Sequence, residues 1–313
     1  MQKAKFKPFV RKLGTIDVHL VETTPVVFKD RLYRFEYVNK SYPFNTEGMP
    51  HFRFKDVESG ICSAPFARNY FLGSAYAENG RLFAFGIKDE WSRDTLDVFT
   101  SGDMDKWELG GSLALPGWSM FNTSVCKGRD GYVMALEIDA PKEECGHPFT
   151  IRFAVSDDLV NWKLTPSECV YSKDRYTACP TIRYLKETDY YYMIYLEALP
   201  GWGFASYIAR SRDLADWRRS PVNPFMMYDE NDRIILNHSL PAETKRQIAN
   251  KLDINNSDVD LCEFNGNTVI YYCWGNQAGE EHLAEAVYEG PMDELLKGFF
   301  DDWDSPDDPV KAQ

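Results

Sequence analysis

One short phrase recurs along the chain: Ser101-Gly-Asp103-Met-Asp-Lys-Trp107, Ser156-Asp-Asp158-Leu-Val-Asn-Trp162 and Ser211-Arg-Asp213-Leu-Ala-Asp-Trp217. The copies begin at positions 101, 156 and 211, so both intervals are 55 residues. A fixed period of this size marks a supersecondary unit that cannot bury its own apolar face and must stack on copies of itself.

Aligning the chain on the phrase exposes the unit. An apolar strand, a turn and a second apolar strand appear five times: Thr24–Phe28 with Leu32–Glu36, Gly73–Ala77 with Leu82–Phe85, Asn122–Cys126 with Tyr132–Glu137, Pro180–Tyr184 with Tyr190–Glu197, and Asp258–Phe264 with Val269–Trp274. The turns Lys29-Asp30, Asn79-Gly80, Asp130-Gly131 and Asn265-Gly266 carry hairpin chemistry. A third strand follows in later units, as in Phe149–Val155 and Phe204–Arg210, and a short fourth follows the Trp. Four antiparallel strands repeated radially form a propeller blade. The expected fold is all-β: a five-bladed β-propeller with four-stranded antiparallel blades, each repeated Trp anchoring the outermost strand against the neighbouring blade.

Two stretches break the pattern. Residues 42–68 are loop-rich, and Leu240 to Leu252 has helical spacing after Ser239, a capping residue type, which predicts a short inserted helix before the last blade. A C-terminal helix is expected over Pro291 to Phe300, then an acidic run from Asp301 to Asp308. The organisation is therefore a basic N-terminal tail (1–14), one propeller domain (15–290), and a C-terminal helix with acidic tail (291–313).

A net charge of −13 and a pI near 4.9 argue against nucleic acid or an anionic membrane as partner, since both require a basic surface. The apolar fraction of 44% suffices for a packed core. No apolar stretch is long enough to span a bilayer and the charged start lacks a signal peptide's apolar run, so a cytoplasmic location is expected. Seven cysteines without a Cys-x-x-Cys pair read as reduced thiols. The five histidines, His19, His51, His147, His238 and His282, have no metal-ligand spacing, and no phosphate-binding glycine loop is present. Neither cofactor nor metal is expected.

In a propeller the first strand of each blade lines the channel and the second runs back, so strand-one starts meet strand-two ends at one mouth. Those positions hold Glu22, Asn122, Asp258 and Asp260 at the starts, and Glu36, Lys88, Glu137, Glu197 and Trp274 at the ends. Carboxylates converging on one funnel push their pKa values apart, which is what acid/base hydrolysis of a glycosidic bond needs. Glu22, Glu137, Glu197 and Asp258 are the candidate catalytic residues. Asp260, Asn122, Arg68, Trp202, Trp274 and Lys88 are the candidate substrate-binding residues.

The blade-closing phrases Asp-Leu-Val-Asn-Trp162 and Asp-Leu-Ala-Asp-Trp217, with Tyr-Tyr-Met-Ile-Tyr195 after a turn, resemble the five-bladed propeller glycoside hydrolases of the family 43 and family 32 type, over residues 15–288. The resemblance implies acids at the starts of blades one, three and four, serving as base, pKa modulator and acid. The matching positions here are Thr24, Asn122 and Ala178, none acidic, so the resemblance implies a pair redistributed among Glu22, Glu137, Glu197 and Asp258. It also allows a structural calcium ion in the channel. The reading is an exo-acting, inverting glycosidase on a small oligosaccharide or glycoside. A glycoside phosphorylase, with Lys88 and Arg68 as its cations, and a sugar-binding propeller without chemistry are the alternatives.

Overall fold

The computed structural model describes residues 7–300 and is a ring of five antiparallel sheets. Blade 1 holds Thr24–Phe28, Arg31–Val38 and His51–Asp56. Blade 2 holds Phe71–Glu78, Arg81–Ile87, Thr95–Ser101 and Glu108–Ala114. Blade 3 holds Ser119–Gly128, Gly131–Ala140, Thr150–Ser156 and Lys163–Leu164, with Val170–Tyr171 also on its third strand. Blade 4 holds Thr177–Leu185, Tyr190–Ala198, Phe204–Ser211 and Trp217–Arg219, with Met226–Met227 beside the third strand. Blade 5 holds Asn256–Phe264, Asn267–Gly275 and Glu281–Tyr288. The five first strands touch one another in cyclic order around the axis.

The fourth strand of blade 5 is Arg11–Val18, from the other end of the chain. It pairs antiparallel with Glu281–Tyr288, from Arg11 opposite Val287 to Val18 opposite His282. A domain boundary drawn between 14 and 15 therefore falls inside a strand. Lys12, expected in a solvated tail, sits buried against Asp232 at 2.8 Å. Lys3, Lys5 and the acidic run 301–308 lie outside the described residues.

Each blade buries both faces, and the core is divided accordingly into five apolar clusters, one per blade interface. The run Tyr190 to Leu196 shows why its sequence is almost wholly apolar. Tyr191, Met193 and Tyr195 face blade 3, whereas Tyr192 and Ile194 face blade 5. Lys29-Asp30, Asn79-Gly80 and Asn265-Gly266 all have positive φ at both turn positions, the geometry that matches strand twist in a two-residue hairpin.

The repeated phrase is a self-bonded corner. In the copy at 156, Ser156 Oγ accepts the amide of Leu159 at 2.9 Å, Asp158 Oδ1 accepts those of Val160 and Asn161 at 2.9 and 2.8 Å, and Trp162 Nε1 donates to the Leu159 carbonyl at 3.0 Å. Backbone donors hold the Asp158 carboxyl down at about 2. Met104, Leu159 and Leu214 share a left-handed φ of 71°, 68° and 66°. Each Trp reaches the preceding blade: Trp107 stacks on Phe66 at 3.8 Å, Trp162 meets Phe85 edge-on at 5.9 Å, and Trp217 stacks on Phe153 at 5.4 Å.

The inserted helix runs over Ala242–Asn250 and follows Pro241 without a side-chain cap. Ser239, expected as its cap, instead donates to Asn237 Oδ1 at 2.6 Å. Proline at the helix boundary removes one of the amides that would otherwise lack an intrahelical acceptor. The C-terminal helix spans Met292–Gly298.

Truncating the buried Trp162 to Ala removes its ring from the interface of blades 2 and 3. A loss of about 3–5 kcal/mol in urea unfolding is expected, against less than about 0.5 kcal/mol for Asp157→Ala on the exposed side of the same corner.

Candidate active site

First strands enter the channel through a register slip in blades 2, 4 and 5, between Phe71 and Ser74, Ala178 and Thr181, and Ser257 and Asp260. Blade 3 shows the same slip opposite Glu137. The leading residues Leu72, Cys179 and Asp258, and Glu22 in the matching place before blade 1, have φ of 49°, 49°, 50° and 52°. Such backbone costs an L-residue roughly 1–2 kcal/mol, so packing around the mouth must hold it. The kinks bring Glu22, Asn122, Cys179 and Asp258 into one cavity of about 30 Å³, with Ser74 and Asp260 among its other walls.

Hydrogen bonds join the acids across blades. Asn122 Nδ2 donates to Asp258 Oδ1 at 3.2 Å, Ser257 Oγ donates to Asp258 Oδ2 at 2.6 Å, and the Cys179 amide donates to Glu137 Oε2 at 2.7 Å. Glu281 accepts from the Gln277 amide at 2.7 Å and from Asn255 Nδ2 at 3.0 Å. Glu22 Oε2 is buried without a partner among the described residues.

Burial is the main force on these carboxyls, and their mutual repulsion adds to it. It lifts Glu137 to about 8 against the Cys179 amide, with Asp258 and Asp139 pushing further. It holds Glu22 well above the carboxylate range, reinforced by Asp258 and Glu137 and opposed by Arg93. It raises Glu281 to about 7. Asp258 is also raised by burial, but donors from Ser257 and Cys179 oppose the rise. The result is a cluster of acids with unequal proton affinities.

The other residues named from the sequence have different environments. Glu197 lies between Arg175 at 3.5 Å and Arg219 at 3.2 Å. These two guanidiniums give Glu197 charge partners that Glu137 does not have among the described residues. Trp274 is fully buried and donates Nε1 to Thr15 Oγ1 at 2.9 Å, a contact that fastens the N-terminal strand rather than a sugar. Arg68 is paired with Glu47 at 2.8 Å and Lys88 is exposed at the foot of the 88–94 loop. Glu36 is held below its ordinary range despite burial, by Arg34 and Arg53. Asp260 binds Arg183 at 2.5 Å and closes the floor of the funnel. Trp202 is 62% exposed on the rim loop between the second and third strands of blade 4.

Four participants are not among the residues named from the sequence. Glu281 starts the third strand of blade 5, which runs parallel to the first and so begins at the same mouth. That rule was available, and the pair Glu280-Glu281 carried the signal. Cys179 takes the place read as Ala178, because the bulge moves the pocket position on by one residue. Arg93 lies over Phe121 at 4.3 Å and is the cation that acts on Glu22. Trp91, on the same loop, is 91% exposed on the rim.

A calcium ion in the channel does not fit this chain. Below the acids the axis carries the Arg183 guanidinium, bonded to Asp260, Ser124 Oγ at 3.3 Å and the Leu261 carbonyl at 2.6 Å. Among the described residues no group of three or more His, Cys, Asp or Glu is placed to hold a metal. A larger cavity of about 280 Å³ lies beyond Arg183 at the opposite mouth, where Lys127 is paired with Glu78. The acid mouth is the better candidate despite its smaller volume, because there several carboxyls face one another without matching cations among the described residues.

No protein-family model matches the chain, and no curated protein matches it by sequence. Solved structures do. A glycoside hydrolase aligns over 92% of both chains with a TM-score of 0.60 and 15% identity. A mutant alpha-L-arabinanase of Cellvibrio cellulosa aligns over 87% of this chain and 92% of its own, at 0.53 and 10%. A thermostable family-43 glycoside hydrolase covers 72% and 70%, at 0.51 and 14%. The fold is the five-bladed propeller of family 43 and related glycoside hydrolases.

A carboxyl whose folded pKa is raised stabilises the protein below its unfolded value and loses that contribution as pH climbs to the folded value. Glu137, at about 8, therefore costs about 1.4 kcal/mol per pH unit between roughly pH 4.5 and 8. The melting temperature should fall across that window. Glu137→Gln should flatten the fall and leave the variant the more stable protein at pH 8, as read by calorimetry.

Proposed function

We propose that the protein is an exo-acting glycoside hydrolase whose general base is Asp258 and whose general acid is Glu137. The observation that carries this is the pairing of two carboxyls in unlike hydrogen-bond settings, both in contact range of Asn122. Asp258 has donors on both oxygens, which favour its ionised form, so it is suited to take a proton from water. Glu137 keeps its proton at neutral pH and is suited to give it to the departing glycosidic oxygen. Glu22, with an unpartnered buried oxygen, faces the same cavity and serves the bound sugar's hydroxyls.

A funnel floored by Asp260 and Arg183 admits the end of a chain, which supports exo action. The comparison structures support a carbohydrate substrate, since their names include an alpha-L-arabinanase and a xylan beta-1,4-xylosidase. Phosphorolysis needs clustered cations, and the two residues named for it are spent on Glu47 or face solvent.

With aryl glycosides, Asp258→Asn and Glu137→Gln should each lower kcat/KM by about 10²–10⁴-fold. Glu137→Gln should be least harmful for dinitrophenyl leaving groups, which need no proton. Glu197→Gln should keep activity. Full activity in both funnel variants would overturn the assignment. Proton NMR of the first product then reads the stereochemistry, with inversion expected.

A further inference from the structure

Around Asp258 the hydrogen bonds have a direction. The Asn255 side-chain nitrogen gives one hydrogen to Glu281 Oε2 at 3.0 Å and the other to Ser257 Oγ at 3.1 Å. Ser257 Oγ, already accepting, turns its own hydrogen to Asp258 Oδ2 at 2.6 Å. Reversing the Asn255 amide would place its oxygen against a carboxylate and a hydroxyl oxygen, so the Glu281 carboxylate fixes the amide and the amide fixes the hydroxyl. Asn255 and Ser257 are almost wholly inaccessible to solvent. We infer that Glu281, Asn255 and Ser257 are positioning residues that orient and ionise Asp258 through this one-way chain.

The chain explains why a residue in the third strand of blade 5 belongs to the site although it faces no substrate. It also sets Asp258 apart from Glu22 and Glu137, which are buried as well but do not stand at the receiving end of such a chain. The groups facing Asp258 from other elements are Glu22 of blade 1, Asn122 and Glu137 of blade 3, Tyr176 just before blade 4 and Cys179 within it. Within blade 5, the Cys273 thiol, opposite Ser257 in the register, is acted on by both Asp258 and Glu281. Arg93 acts on this cluster through Glu22. None of these takes part in the chain, so through-space charge and the hydrogen-bond chain can be separated by experiment. The inference rests on the reading of Asp258 as the base, but its test does not need a substrate.

Full-length protein labelled with ¹³C at the aspartate carboxyl carbon gives the Asp258 titration by NMR, the resonance being assigned by its loss in Asp258→Asn. Ser257→Ala should raise the Asp258 midpoint by about half to one pH unit, the size of one neutral hydrogen bond. Ser257→Thr, which keeps the hydroxyl, should restore it. Asn255→Leu should move it in the same direction. Glu281→Gln and Glu281→Leu both leave the position uncharged, but only Gln keeps an acceptor for Asn255. The Leu midpoint should therefore lie above the Gln midpoint, whereas a purely through-space effect makes them equal. Equal midpoints for the two Glu281 variants, or a wild-type midpoint in Ser257→Ala, would overturn the chain. If Asn255→Leu does not fold, the Ser257 and Glu281 pairs decide the matter alone. With an active aryl glycoside, the acid limb of kcat should follow the same order with KM unchanged. Full activity in Asp258→Asn would remove the base assignment and leave the NMR result to judge the chain.

Discussion

The closure of the ring by the strand Arg11–Val18 is the contact on which the remainder depends. Five blades cannot bury five interfaces unless the last meets the first, and the chain achieves this by lending its opening strand to its final sheet. The join has specific fastenings. Trp274 Nε1 bonds Thr15 Oγ1, Lys12 reaches Asp232, and the Thr15 amide donates to the Ile234 carbonyl at 2.7 Å. The same join assembles the site. The His19 amide donates to the Glu281 carbonyl at 2.8 Å, and Glu22 follows three residues later. Two acids from opposite ends of the sequence thus reach one funnel only when the ring is shut.

The funnel concentrates what the rest of the fold avoids. Arg34, Arg53 and Glu36, or Arg183 and Asp260, show how this protein normally buries charge, with opposite partners in hydrogen-bond contact. Glu22, Glu137, Asp258 and Glu281 instead share one mouth, and Arg93 is the cation that opposes Glu22. Burial of like groups is destabilising and shifts protons rather than separating charges. Left-handed backbone at Glu22, Cys179 and Asp258 adds local strain at the same place. The inter-blade Trp corners, each closed by its own hydrogen bonds, lie away from the mouth and stabilise the ring that tolerates it.

How much was legible follows from periodicity. The Ser-x-Asp-x-x-x-Trp phrase repeats because blades 2, 3 and 4 solve the same packing problem, and with the hairpins repeated five times it made the blade number and the role of Trp107, Trp162 and Trp217 readable directly. Alternation did the same for the Tyr190 strand. The site was legible as far as the repeat could locate it: Glu22, Asn122, Glu137 and Asp258 do meet at one mouth. What failed were positions set by local departures from the repeat. A bulge exchanges Ala178 for Cys179, and a ring closure turns Trp274 inward to Thr15. A pair of arginines distant in sequence captures Glu197. Such contacts depend on three-dimensional neighbours that leave no period behind.

The Arg183 guanidinium below the acids has a kinetic consequence. Tethered to its own strand and bound to Asp260, it stands between the acid-lined cavity and the larger cavity at the opposite mouth. On the proposed reading, a sugar that enters at the acid mouth leaves by the same opening, past the loops that carry Trp91 and Trp202. For a glycosidase of the kind proposed, turnover would then be one-door traffic, the product holding the opening until it departs.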